Sequence, residues 1–157
     1  ALYKASCAGV KVLLNVRGIC MLVPGVKGMS ENIKVVSIVD RYLEHSRIFY
    51  FQNGSTSEIY LASADWMPRN LERRVELMFP ILDKKVFKEV KSILDVYFED
   101  NCNAHELKKD GEWIPVLLEE GQSKRRSQEL LYKKYKRRND SYEKIKQKKF
   151  EVRKKIE

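Results

Sequence analysis

Two histidines and a scatter of arginines are the residues of this chain whose types could do chemistry on a charged substrate. His45 stands in the block Arg41-Tyr42-Leu43-Glu44-His45-Ser46-Arg47, directly ahead of an apolar run. Asn53-Gly54 follows that run, and then comes Ser63-Ala64-Asp65-Trp66-Met67-Pro68-Arg69-Asn70. An imidazole gives or takes a proton near neutral pH. A guanidinium keeps its charge and grips two oxygens of a phosphate at once. A histidine with a cation two residues on therefore suits an oxyanion substrate. Arg17, Arg41, Arg47, Arg69 and Arg74 all fall at expected strand ends or tight turns, where side chains from distant strands converge. His105 sits in a polar, alternating stretch and reads as an ordinary surface residue. Asp65 reads as a helix cap or an arginine partner, and Trp66 and Met67 as core packing.

The elements that must position these groups follow from the apolar pattern. Residues 1–8 read as a helix closed by Gly9. Val10–Val16 is a compact apolar run and a good buried strand, ending at Arg17-Gly18. Ile33–Val39 is rich in β-branched residues and reads as a second strand. Ile48–Phe51 and Glu58–Ala62 flank Asn53-Gly54, a hairpin signal. Pro68 and Asn70 open a turn, and Arg74–Phe79 alternates enough for a further strand stopped by Pro80. Asp83 is placed to cap a helix running through Phe98, with Val86, Val90, Ile93, Leu94 and Tyr97 at helical spacing. Short strands are expected near His105–Leu107 and Trp113–Leu117. From Ser127 onward the chain reads as helix, polar nearly all round. Strands interrupted by helices imply an α/β domain with a mixed β-sheet flanked by helices, plus a C-terminal basic helix.

Charge is unevenly distributed. Residues 122–157 hold fifteen of the 31 Lys/Arg and five of the 22 Asp/Glu, so residues 1–121 keep 16 basic against 17 acidic. The chain therefore divides into a nearly neutral body, 1–121, and a basic helical tail, 122–157. Lys/Arg clusters with Tyr132, Tyr135 and Tyr142 between them could bind a polyanion, or could simply form a solvated helix face. The neutral body weakens a nucleic-acid-binding reading, and nucleic acid is not expected among the partners. Three scattered cysteines, Cys7, Cys20 and Cys102, form no disulfide or zinc pattern. They suit a reducing, cytoplasmic setting, at most peripheral to the membrane. The apolar runs fall short of the roughly 18 residues of a spanning helix. No leader pattern opens the chain, and without an initiator Met it is expected to be a piece of a longer protein.

The pattern around His45 resembles the His-x-Lys half-motif of the phospholipase D superfamily. Arg47 stands where that superfamily has Lys, and its usual downstream Asp is not at the expected place. A phosphodiesterase or phospholipid-transferring half-site is the alternative this implies. A longer string is more specific. Val16-Arg17-Gly18-Ile19-Cys20, Pro24-Gly25-Val26, Ser30-Glu31-Asn32-Ile33 and Ser37-Ile38-Val39 lead into the His45 block. Ser63-Ala64-Asp65-Trp66-Met67, Arg69-Asn70 and Arg73-Arg74-Val75-Glu76 follow it. Together they resemble the last, phospholipase-D-like domain of the bacterial long-chain polyphosphate kinases, densely from about Ala5 to Asp83.

The resemblance implies reversible transfer of the ATP terminal phosphate to inorganic polyphosphate, with Mg²⁺, through a phosphorylated histidine in the preceding domain. His45 then matches the second catalytic histidine. Arg17 matches a nucleotide-phosphate contact, Arg74 a further basic residue of the site, and Arg47 and Arg69 complete the cationic set. The Mg²⁺ ligands are expected in the missing domain, and the full-length enzyme is expected to be a homo-oligomer. By itself the fragment is expected to be inactive, since half of the site lies elsewhere.

Overall fold

The computed structural model describes residues 1–142, with side chains described as far as Arg138. The end of the basic tail, residues 143–157, lies outside the described residues. The elements run α1 (Leu2–Cys7), β1 (Val12–Asn15), β2 (Ile33–Ile38), β3 (Ile48–Phe51), β4 (Glu58–Ala62), α2 (Pro68–Arg73), β5 (Met78–Pro80), α3 (Lys84–Phe98), β6 (Ala104–Leu107), β7 (Trp113–Pro115) and α4 (Ser127–Tyr142).

The mixed sheet has four strands in the order β1-β2-β6-β7. β1 lies parallel to β2, while β6 is antiparallel to both β2 and β7. The other three strands form a second, antiparallel sheet in the order β3-β4-β5. β2 explains why the first sheet sits in the middle of the molecule. Successive side chains of a strand face opposite ways, and here both faces are covered. Ile33 and Val35 join Leu107 against Leu2, Tyr3, Val12 and Leu14 on one side. Ile38 joins Ala104 and Tyr97, with Ile93 of α3 and Leu131 of α4, on the other. Ile33–Ile38 accordingly carries Ile and Val on both faces, interrupted only by Lys34 and Ser37.

Local signals set the remaining boundaries. The Asp83 carboxylate accepts from the backbone N–H of Lys85 and Val86, so it caps α3 as its position implies. Asn53 and Gly54 both take positive φ, 45° and 64°, which turns the chain between β3 and β4. Two expectations change. Residues 68–73 form a short helix rather than a turn, because Pro68 occupies its first position, where a missing N–H costs nothing. The strand expected over Arg74–Phe79 shrinks to β5, and Pro80 lies inside it. Tolerance of the proline follows from β5 being the end strand of its sheet, where one N–H side needs no partner.

Candidate functional site

Three chain segments meet where the two sheets adjoin. Arg17 lies two residues beyond the end of β1. His45 and Arg47 immediately precede β3. Asp65 lies three residues beyond β4, and because β4 runs antiparallel to β3, its end and the start of β3 are neighbours. The register is closed by a hydrogen bond from the Ala62 N–H to the Arg47 carbonyl. The topology thus gathers residues 17, 45, 47 and 65, which are far apart in sequence.

Asp65 is the hub. Its Oδ2 lies 3.1 Å from Arg17 Nη2, and its Oδ1 lies 3.0 Å from Arg47 Nε. The Asp65 backbone is fixed as well, since its carbonyl accepts from the Met67 N–H and from Asn70 Nδ2. Arg17 makes a second anchor, with Nη1 donating to the Glu44 carbonyl at 2.9 Å. Arg47 turns its Nη1 to the His45 carbonyl at 3.1 Å and to His45 Nδ1 at 3.2 Å. Guanidinium has no acceptor, so this last contact is a hydrogen bond when Nδ1 carries a lone pair. The proton of a neutral ring then sits on Nε2, on the side away from the Arg47 contact. His45 itself is exposed, while Arg17, Arg47 and Asp65 are half-buried.

The Arg47 hydrogen bond, followed by its charge and those of Arg17 and His45, holds the Asp65 carboxyl below its ordinary range against the opposing effect of burial. Asp40 behaves likewise. Arg126 clasps its side chain with Nε at 2.8 Å and Nη2 at 2.5 Å, and the carboxyl is held far below the usual carboxylate range. A carboxyl lowered in the folded state stabilises it above the unfolded pKa, and that stabilisation drains away as pH falls towards the folded value. Thermal unfolding temperature is therefore expected to drop as pH falls from about 5 to about 3. The drop should be shallower in Asp40→Asn; identical acid profiles for that variant and wild type would refute this contribution.

The other candidates are placed differently. Arg69 lies on α2 and Arg74 just past its end; both are exposed, and neither guanidinium hydrogen-bonds to Asp65, Arg17, Arg47 or His45. Arg41 stacks over the Tyr42 ring, 5.4 Å from its centroid. Trp66 is not core: 60% of it is exposed, and it stacks on Phe49 with ring centroids 5.4 Å apart. His105 is half-buried on β6 opposite Ser37, not a surface residue, and its Nδ1 has no partner among the described residues. Among the described residues no group of three or more His, Cys, Asp or Glu gathers to hold a metal ion. The Asp65 carboxylate is engaged by two guanidiniums.

Two residues of the site carried no sequence signal. Glu44 accepts from Gln128 Nε2 at 2.6 Å, and Gln128 comes from the first turn of α4. A separation of 84 residues leaves no local pattern by which to pair them.

The fold and the cluster define an α/β domain of the phospholipase-D-like kind, with a histidine and paired arginines at the junction of its sheets. The pattern described as polyphosphate kinase C-terminal domain 2 matches residues 1–128, and the chain belongs to that family. It is 53% identical over 132 residues to the polyphosphate kinase of Rhodopirellula baltica, covering 84% of this chain and 16% of that protein. It is 50% identical over 134 residues to polyphosphate kinase 1 of Chlorobaculum tepidum, covering 85% of this chain and 19% of that one. The crystal structure of polyphosphate kinase from Porphyromonas gingivalis superposes with a TM-score of 0.83 at 41% identity, covering 89% of this chain and 21% of the other. The chain thus spans less than a fifth of the length of these two curated relatives. Among the described residues no helix is long and apolar enough to cross a membrane.

Proposed function

We propose that this domain supplies one half of a phosphate-transfer site, in a polyphosphate kinase that moves the terminal phosphate of ATP reversibly onto inorganic polyphosphate. The observation that carries the reading is the junction itself, where Asp65 ties Arg17 and Arg47 together beside the His45 ring. Phosphoryl transfer asks the protein for little covalent work; it asks for alignment and for positive charge on the phosphoryl oxygens. Arg17 and Arg47 supply that charge as rigid forks, while Asp65 and the Glu44 carbonyl fix their planes.

The chemistry is two displacements. A histidine of the preceding domain attacks the terminal phosphorus of ATP; an N–P bond forms, the P–O bond to ADP breaks, and ADP leaves. A terminal oxygen of polyphosphate then attacks that phosphorus, the N–P bond breaks, and the chain is longer by one unit. His45 faces this phosphoryl group from the opposite domain, and its Nε2–H donates to a phosphoryl or leaving-group oxygen. Arg69 and Arg74, exposed beside the junction, engage the outer phosphates of the polyanion. Mg²⁺ is held by residues of the rest of the protein. The enzyme works in the cytoplasm as a homo-oligomer, and this domain without its neighbour does not transfer phosphate.

The test is polyphosphate formation from γ-labelled ATP and Mg²⁺ by the full-length protein, followed as label in a high-molecular-weight fraction. Label is expected to accumulate with wild type and to return to ADP as ATP when ADP is in excess. Absence of labelled polymer with wild type would refute the assignment.

A further inference from the structure

The loop that carries His45 is held from behind by the start of the C-terminal helix. Gln128 is 8% exposed, and its amide makes three hydrogen bonds to this loop. Oε1 accepts from the Tyr42 N–H at 2.9 Å, and Nε2 donates to the Tyr42 carbonyl at 2.7 Å and to Glu44 Oε1 at 2.6 Å. A side-chain amide thus mimics a neighbouring strand across Tyr42. Just ahead of Gln128 the same helix start is pinned to the body twice more. Arg126 clasps Asp40, and the Ser127 N–H donates to the buried Asp100 carboxylate at 2.7 Å. Tyr97 of α3 meets the Glu44 carboxylate too; burial first, then Glu44, pushes its phenol up to about 12.

From Glu44 the chain of contacts runs straight into the site. The Glu44 carbonyl receives Arg17, Arg17 meets Asp65, Asp65 meets Arg47, and Arg47 meets the His45 ring. We propose that Gln128 is a positioning residue for His45, acting as a strut that fixes the backbone of residues 42–44 and so sets where the imidazole stands. Its catalytic consequence rests on the transfer reading above; the strut itself does not. Gln128 touches no reacting atom. A loop free to wander by an ångström loses alignment, and alignment is most of what such a site provides.

Two readouts in the full-length protein test it. In Gln128→Ala, kcat for polyphosphate synthesis is expected to fall about 30-fold while KM for ATP stays within about twofold. Trypsin cleavage after Arg41 is expected to accelerate about tenfold, because the Arg41–Tyr42 bond is released only when the loop opens. Gln128→Glu should be worse than alanine, since a second carboxylate then faces Glu44. Adding Glu44→Gln to Gln128→Glu returns an amide–carboxylate pair between these two residues and should recover part of the loss relative to that single variant, the Tyr42 carbonyl still lacking its donor. This recovery also decides the matter if Gln128→Ala does not fold.

Unchanged cleavage after Arg41 in Gln128→Ala would overturn the strut. Faster cleavage with unchanged kcat, in an active enzyme, would overturn the positioning role. No recovery in the double variant would overturn the proposed pairing. Should wild type make no polyphosphate, the transfer reading fails, and the cleavage rates still decide whether the strut exists.

Discussion

Replacing His45 with alanine in the full-length protein should abolish polyphosphate synthesis, a loss of about 10³-fold or more, and leave the fold in place. The fold survives because the ring is exposed and its bond to Arg47 is shared. Arg47 Nη1 also donates to the backbone carbonyl of residue 45, and Nε still holds Asp65. Neither contact needs the imidazole, so the unfolding free energy should change by no more than about 0.5 kcal/mol. Activity vanishes because no nearby group can take the place of Nε2. Arg47 is bound to two partners, and a guanidinium does not give up its proton. His45→Gln separates two ways of acting. A glutamine amide can donate a hydrogen bond but cannot release a proton to a leaving group. Partial recovery in glutamine means that the ring acts by hydrogen-bonded charge stabilisation; activity as low as alanine means that it acts by proton transfer. Steady-state synthesis rates and a thermal melt suffice for both variants. Wild-type synthesis in His45→Ala would remove His45 from the site.

How far the site could be read in advance depended on the distance over which each feature is decided. β2 and α3 were legible because each carries its own signal: a concentration of β-branched residues for a strand buried on both faces, and Asp83 with helical spacing for a capped helix. α2 was not, because six residues beginning Pro68-Arg69-Asn70 present no apolar face, and only the proline hints at a helix start. The division into two sheets is a matter of long-range pairing that no single segment encodes. His45 and Arg47 were found together because they adjoin in sequence. Arg17 entered the site only through family resemblance and Asp65 only as a helix cap or an arginine partner; that the two pair with each other across 48 residues is seen in the structure alone. Trp66 misled because a large aromatic is usually buried; here it stacks on Phe49 at the surface. Gln128 was invisible, since a glutamine at the start of a polar helix looks like any solvated residue until its partner is known.

Arg17 should prove almost as intolerant as His45, and lysine should rescue it poorly. The guanidinium fork spans two acceptors that lie in different segments, the Glu44 carbonyl through Nη1 and the Asp65 carboxylate through Nη2. No hydrogen bond to its Nε–H is found among the described residues, so that edge remains available for a phosphate oxygen. A single planar group can serve three partners in this way; an ammonium on a flexible stem cannot hold the same three in one plane. Arg17→Ala is expected to lower kcat/KM for ATP by about 10²- to 10³-fold, the usual effect of deleting one charged donor from a phosphoryl site. Arg17→Lys keeps the charge and loses the fork, so it should recover no more than about a tenth of the activity. Neither change should unseat Asp65. The Arg47 hydrogen bond is the largest influence lowering its carboxyl, and with Arg17 gone it still keeps that carboxylate ionised and paired at neutral pH. The thermal midpoint should therefore move by only about 2 °C, and the loss should appear in kinetics alone. Measured kcat/KM within twofold of wild type for Arg17→Ala would show that the junction of the two sheets is not where ATP phosphates are held.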